Sequence, residues 1–126
     1  VVHNMGGVFV DGVPEYERIG LIRSSELGDQ VAQRLGKGVG VMMRGHGITT
    51  ALGDVRAATV AAVFLEESAE LQLRMLAAAG GNAARIRAFT REEAELVRDQ
   101  TGPGVTAGGR AWEYYSTVAA QKPIGG

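Results

Sequence analysis

His3 and His46 are the chain's only imidazoles, and no cysteine accompanies them. His46 stands in VMMRGHGITT (41–50), between Gly45 and Gly47 and between two short apolar, β-prone runs. Glycine weakens a strand unless the chain bends or something approaches closely, so the pattern points to a tight turn at His46. A neutral imidazole with no Cβ on either side is open to a metal or a substrate. The same spacing also fits a turn histidine whose ring is satisfied by a carbonyl. A metal centre takes three or four donors, which two histidines and scattered carboxylates do not make within this chain alone.

Arg44 lies two residues before His46, which on an extended strand puts both side chains on one face. There its guanidinium either clamps an anionic substrate or remains a strand-end charge. Tyr114 and Tyr115, in WEYY (112–115), either supply a phenolic proton donor or pack a terminal helix onto a sheet or a neighbouring subunit. Glu66, Glu67, Glu70 and Arg74 fall where a solvated helix face is expected, with helical-turn pairing of Glu70 and Arg74. Glu66 sits next to that helix's apolar stripe. His3 and Asn4 are weaker candidates, being terminal.

The elements that must position these groups follow from periodicity. GVFV and IGLI, separated by DGVPEYER with its Asp11-Gly12 turn and Pro14, read as two short strands. Leu27, Val31 and Leu35, behind Ser24 or Ser25 and ahead of Gly36, read as a short helix. VGVMM (39–43) and ITTAL (48–52) read as strands joined through RGHG in an antiparallel hairpin around the histidine. From Asp54 a long helix runs to Gly80-Gly81, its stripe Val55, Ala58, Ala62, Leu65, Ala69, Leu73 and Leu76 recurring at three- and four-residue steps. Thr90 and Glu93 form a capping box for a helix that stops near Gly102-Pro103. After a flexible GPGVTAGG, a last helix spans about Arg110 to Gln121, and QKPIGG reads as a frayed tail. Strands come first and helices flank them, which gives an α/β or α+β class.

At 126 residues and 13.2 kDa the chain has room for one domain. Its 13 basic and 14 acidic residues are balanced and unclustered, so no electrostatic footprint for nucleic acid or an anionic membrane exists. Without cysteine there are no disulfides, which fits a cytoplasmic protein. No apolar run reaches the roughly 20 residues of a membrane helix. The opening VVHNMGGVFV lacks an initiator methionine and reads as mid-domain sequence.

Taken together, VMMRGHGITTALGDVRAATVAAVFLEESAELQ, with VPEYERIGLIRSSELGDQVAQRLG upstream of it, resembles the segment of the class II aldolase/adducin family that carries its last metal-ligand histidine. The likeness covers about residues 8 to 79. It implies an α/β fold with a mostly antiparallel central sheet flanked by helices, assembled as a homotetramer with active sites between subunits. It also implies a divalent metal, zinc most often and manganese or iron in some branches, bound by three histidines and acting as a Lewis acid. His46 would be the third ligand, Arg44 a substrate contact, and Tyr114 or Tyr115 a catalytic group reaching a neighbour's site. The family's H-x-H ligand pair is missing from the sequence. Residues 1–126 therefore read as the C-terminal portion of one such domain, inactive alone, its site completed by an N-terminal segment or companion chain. The implied activity is carbon–carbon cleavage or decarboxylation of a small hydroxylated carbonyl or carboxylic acid. The alternative is a non-catalytic, adducin-like scaffold, which the absent histidine pair favours.

Overall fold

The computed structural model describes residues 1–106 and 109–121, and of residues 102–106 the backbone alone. Its elements are β1 (Glu15–Tyr16), α1 (Ser25–Leu35), β2 (Gly40–Met43), β3 (Gly47–Thr50), α2 (Val55–Ala78), α3 (Arg91–Thr106) and α4 (Gly109–Gln121), with short 3-10 helices at Asn4–Phe9 and Ala83–Arg85. No helix among the described residues is long and apolar enough to cross a membrane.

The fold is α/β, as expected, but the three-stranded sheet is mixed. β2 pairs antiparallel with β3, Val41 opposite Thr49 and Met43 opposite Gly47. β1 pairs parallel with β2 through Met42 N–H to Pro14 O (2.8 Å) and Arg44 N–H to Tyr16 O (3.0 Å). The reason is connectivity: α1 lies between β1 and β2, and a helical crossover returns the chain in its original direction, whereas a short turn reverses it.

Both expected N-terminal strands are corrected. GVFV lies largely within the Asn4–Phe9 3-10 helix, and IGLI is a loop with Ile19 and Leu21 exposed. The 3-10 segment packs against α3 so closely that a Cβ on Gly7 would stand 2.8 Å from the Arg98 backbone nitrogen; side-chain-free backbone, not strand propensity, decides its conformation. The strand that does form, Glu15–Tyr16, falls between the two expected runs.

Helix ends follow their sequence signals. Ser24 Oγ accepts from Leu27 N–H (3.3 Å) and Asp54 Oδ1 from Ala57 N–H (2.8 Å). In the capping box Thr90 Oγ1 accepts from Glu93 N–H (3.2 Å) while Glu93 Oε2 accepts from Thr90 N–H (2.9 Å). α3 does not stop at Gly102-Pro103 but continues to Thr106; proline's fixed φ is compatible with a helix, although its ring removes a donor and crowds the carbonyl one turn back. Ala107 and Gly108 of the expected flexible linker, and residues 122–126 of the expected tail, lie outside the described residues.

The core has two centres. Phe9, Val60, Ala61 and Phe64 form one, against which Trp112 and Tyr115 of α4 pack. Tyr16, Val31 and Val41 form the other, binding α1 to one face of the sheet. The buried positions of α2 are thus Ala57, Val60, Ala61, Phe64 and Ser68, a different face from the stripe read in the sequence. Val55 and Leu73 of that stripe are 78% and 68% exposed.

Candidate functional site

The β2–β3 hairpin turns through Arg44, Gly45 and His46, closed by His46 N–H to Met43 O (2.9 Å). Gly45 has φ +75° and Gly47 φ +127°. Positive φ at the third residue of a turn is what a type II turn requires, and glycine supplies it without a steric penalty. The turn therefore explains Gly45, while Gly47 opens β3 just beyond it at a positive φ that also favours glycine, and His46 stands at the tip.

His46 is exposed, and its Nε2 lies 2.7 Å from the Ile19 carbonyl. A carbonyl only accepts, so Nε2 carries the proton and, in the neutral ring, Nδ1 keeps the lone pair. A histidine with one nitrogen donating to a backbone carbonyl has the arrangement common among metal-bound imidazoles; it equally satisfies a turn histidine.

Arg44 does not share a strand face with His46, because both belong to the turn and strand alternation ends at Met43. Its guanidinium stands 3.8 Å from Glu17, both side chains more than half exposed. Such a pair contributes little to stability and leaves the cation accessible to an anion.

Among the described residues no group of three His, Cys, Asp or Glu side chains lies together to hold a metal. His3 is engaged elsewhere: its Nε2 is 3.0 Å from Ser68 Oγ, whose hydroxyl donates to Phe64 O (2.6 Å). Ser68 thus accepts from His3, and the pair pins the 3-10 helix to α2. Ser68, 4% exposed, was missed in the sequence; its signal was a hydroxyl on the helix position one turn beyond Phe64.

The tyrosines belong to α4 and pack side by side, ring centroids 5.1 Å apart, edge to face. Tyr115 donates to Glu67 Oε1 (2.7 Å), and burial, reinforced by that hydrogen bond, pushes its phenol up to about 12. A proton held that firmly is a poor donor at neutral pH. Tyr114 is 63% exposed and open to a partner. Glu67, placed by the sequence on a solvated face, is half-buried beneath α4; Arg56 of α2 also lies 5.8 Å from the Trp112 ring. Glu70 and Arg74 do pair on the surface, as their spacing predicts.

The profile of the Class II Aldolase and Adducin N-terminal domain matches residues 2–73. The chain belongs to the class II aldolase/adducin family. The hairpin and the His46 turn fall inside the matched region, and the family generally uses a divalent metal. Against curated relatives, this class II aldolase/adducin chain is 37% identical over 103 residues to a 3,4-dihydroxyphthalate decarboxylase of Terrabacter sp. (strain DBF63), covering 82% of the chain and 41% of the relative. It is 39% identical over 69 residues to the enzyme of the same name from Rhodococcus jostii (strain RHA1), covering 55% and 28%. The Arthrobacter keyseri protein of that name is 36% identical over 69 residues. The chain thus spans well under half the length of these relatives. No solved structure gives a significant match.

The described residues alone form no complete site for the family's metal.

Proposed function

We propose that residues 1–126 are the C-terminal portion of a class II aldolase/adducin domain and that the completed protein is a metal-dependent carbon–carbon lyase, a decarboxylase of a dihydroxylated aromatic acid. The observation that carries this is the glycine-built hairpin holding an exposed imidazole, inside the family match. Decarboxylation is preferred over aldol cleavage because the three relatives above are each named 3,4-dihydroxyphthalate decarboxylase.

In this reading His46 is one ligand, and the remaining donors lie on a segment or companion chain outside these residues. The metal, most suitably zinc with imidazole donors, supplies Lewis-acid polarisation of a substrate oxygen when bound. Arg44, accessible beside the same turn, receives the substrate's carboxylate. Tyr114 reaches a neighbouring subunit of a homotetramer in the cytoplasm, while Tyr115 serves to hold α4. The chain alone is inactive.

The test uses a chimera in which this chain replaces the matched region of the Terrabacter decarboxylase. Carbon dioxide release from 3,4-dihydroxyphthalate is expected. A cooperatively folded chimera that holds metal yet releases none would contradict the decarboxylase assignment. The scaffold alternative draws on the absence of a donor cluster among the described residues; a folded chimera without metal would favour it.

A further inference from the structure

The loop that follows β1 is tied to the hairpin tip at three points. Arg44 N–H donates to Tyr16 O (3.0 Å), His46 Nε2 donates to Ile19 O (2.7 Å), and a Cβ on Gly45 would lie 4.0 Å from Ile19 Cγ2. Glu17 and Arg18, both exposed, stand between Tyr16 and Ile19 and are thereby carried to the same end of the sheet as Arg44 and His46. Arg18 folds back along the loop: its Nε, Nη2 and Cζ are 3.3, 3.5 and 3.7 Å from where a Cβ on Gly20 would be. Gly20 directly follows the residue whose carbonyl holds the imidazole, and its missing Cβ lets the guanidinium lie against the backbone there. Two guanidinium groups and one carboxylate thus share this end of the sheet, an excess of one positive charge. Arg44 has Glu17 at 3.8 Å, too long for a hydrogen bond, and among the described residues Arg18 has no ion-pair partner.

We propose that Arg18 and Arg44 form a two-point receptor for an aromatic dicarboxylate, with Arg18 the residue that distinguishes it from a monocarboxylate. The inference rests on the reading of the hairpin tip as part of the substrate site and deepens it by naming a second anion contact. A decarboxylase acting on a dicarboxylic acid has to fix the carboxylate that stays while the other leaves as carbon dioxide, a proton taking its place on the ring. One guanidinium fork grips one carboxylate through two parallel N–H donors, so the second carboxylate needs a cation of its own. Arg18 and Arg44 supply the two from separate stretches of backbone that the His46–Ile19 contact holds together. Glu17, exposed and loosely paired, gives up little when a ligand carboxylate takes its place on Arg44.

Binding is measured apart from turnover. The 126-residue chain is titrated with phthalate and, separately, with benzoate, which differ by one carboxylate, and is followed by the NMR shifts of its backbone amides and arginine Nε–H groups. The expected shifts cluster at residues 17–20 and 44–46, with phthalate bound at least about threefold more tightly than benzoate, as an exposed charge pair allows. Arg18→Gln is expected to remove that preference while benzoate still binds, and Arg18→Lys to keep part of it. Arg74→Gln, which breaks a surface pair with Glu70 on α2, is expected to keep all of it. No shift at the hairpin tip, or a phthalate preference unchanged in Arg18→Gln, would overturn the receptor. Carbon dioxide release by the chimera tests the decarboxylase reading separately. Release without Arg18-dependent binding would remove the receptor alone, whereas Arg18-dependent binding without release would leave a dicarboxylate site and remove the reaction.

Discussion

The His46 turn and the α2–α4 contact differ in how their chemically capable side chains are held. Tyr115 is half-buried, donates to Glu67 and packs beside the Phe9–Phe64 cluster. His46 is exposed at a hairpin tip and is held by one hydrogen bond to a loop carbonyl. A group with every bond made inside its own chain is part of the structure. One presented at an exposed hairpin tip, with a single contact from its ring to a loop carbonyl, is left open to solvent. Residue type alone marked both.

The contrast can be broken from the packed side first. Phe64→Ala removes a buried ring between α2, the 3-10 helix and α4, and it is expected to cost about 3–5 kcal/mol in denaturant unfolding. Tyr115→Phe leaves the Glu67 carboxylate without its donor and is expected to cost about 1–2 kcal/mol. It also carries a pH signature. Tyr115 is raised from 10.0 to about 12 in the folded chain, so the native state holds the phenolic proton more tightly than the unfolded one. Its contribution is fully present below pH 10 and is lost as pH rises from 10 towards 12. Unfolding curves across that window should fall more steeply for the wild-type chain than for Tyr115→Phe; parallel curves would break the distinction.

On the hairpin side the effects are smaller and conformational. Gly45→Ala forces a Cβ into φ +75° and is expected to cost about 1–2 kcal/mol, although Ile19 Cγ2 at 4.0 Å leaves room for the methyl group. His46→Ala, removing an exposed hydrogen bond, should change stability by no more than about 0.5 kcal/mol. A destabilisation comparable to that of Tyr115→Phe would make His46 a structural residue and erase the contrast.

Local signals carried far in this sequence. Asp54, Ser24 and the Thr90–Glu93 box cap the helices they announce, and Gly45 and Gly47 take the backbone angles that their position suggested. What stayed illegible depends on distant partners. GVFV looked like a strand, but Gly7 must fit under α3. Glu67 looked solvated because Tyr115, its partner, lies 48 residues away. The α2 stripe was read as buried because its period is correct, but the core takes the neighbouring face and leaves Val55 and Leu73 of the stripe exposed. The turn at His46 was legible because glycines flank the residue on both sides; the H-x-H pair that the family resemblance implies has no counterpart among these 126 residues.

The central claim is that His46 is a working metal ligand supplied by this hairpin. Elemental analysis of the chimera with and without His46→Ala tests it directly. The expected result is about one zinc, manganese or iron per chain with His46 and at least a tenfold loss without it, as a three-donor catalytic centre requires. Undiminished metal in a folded His46→Ala chimera would contradict the account.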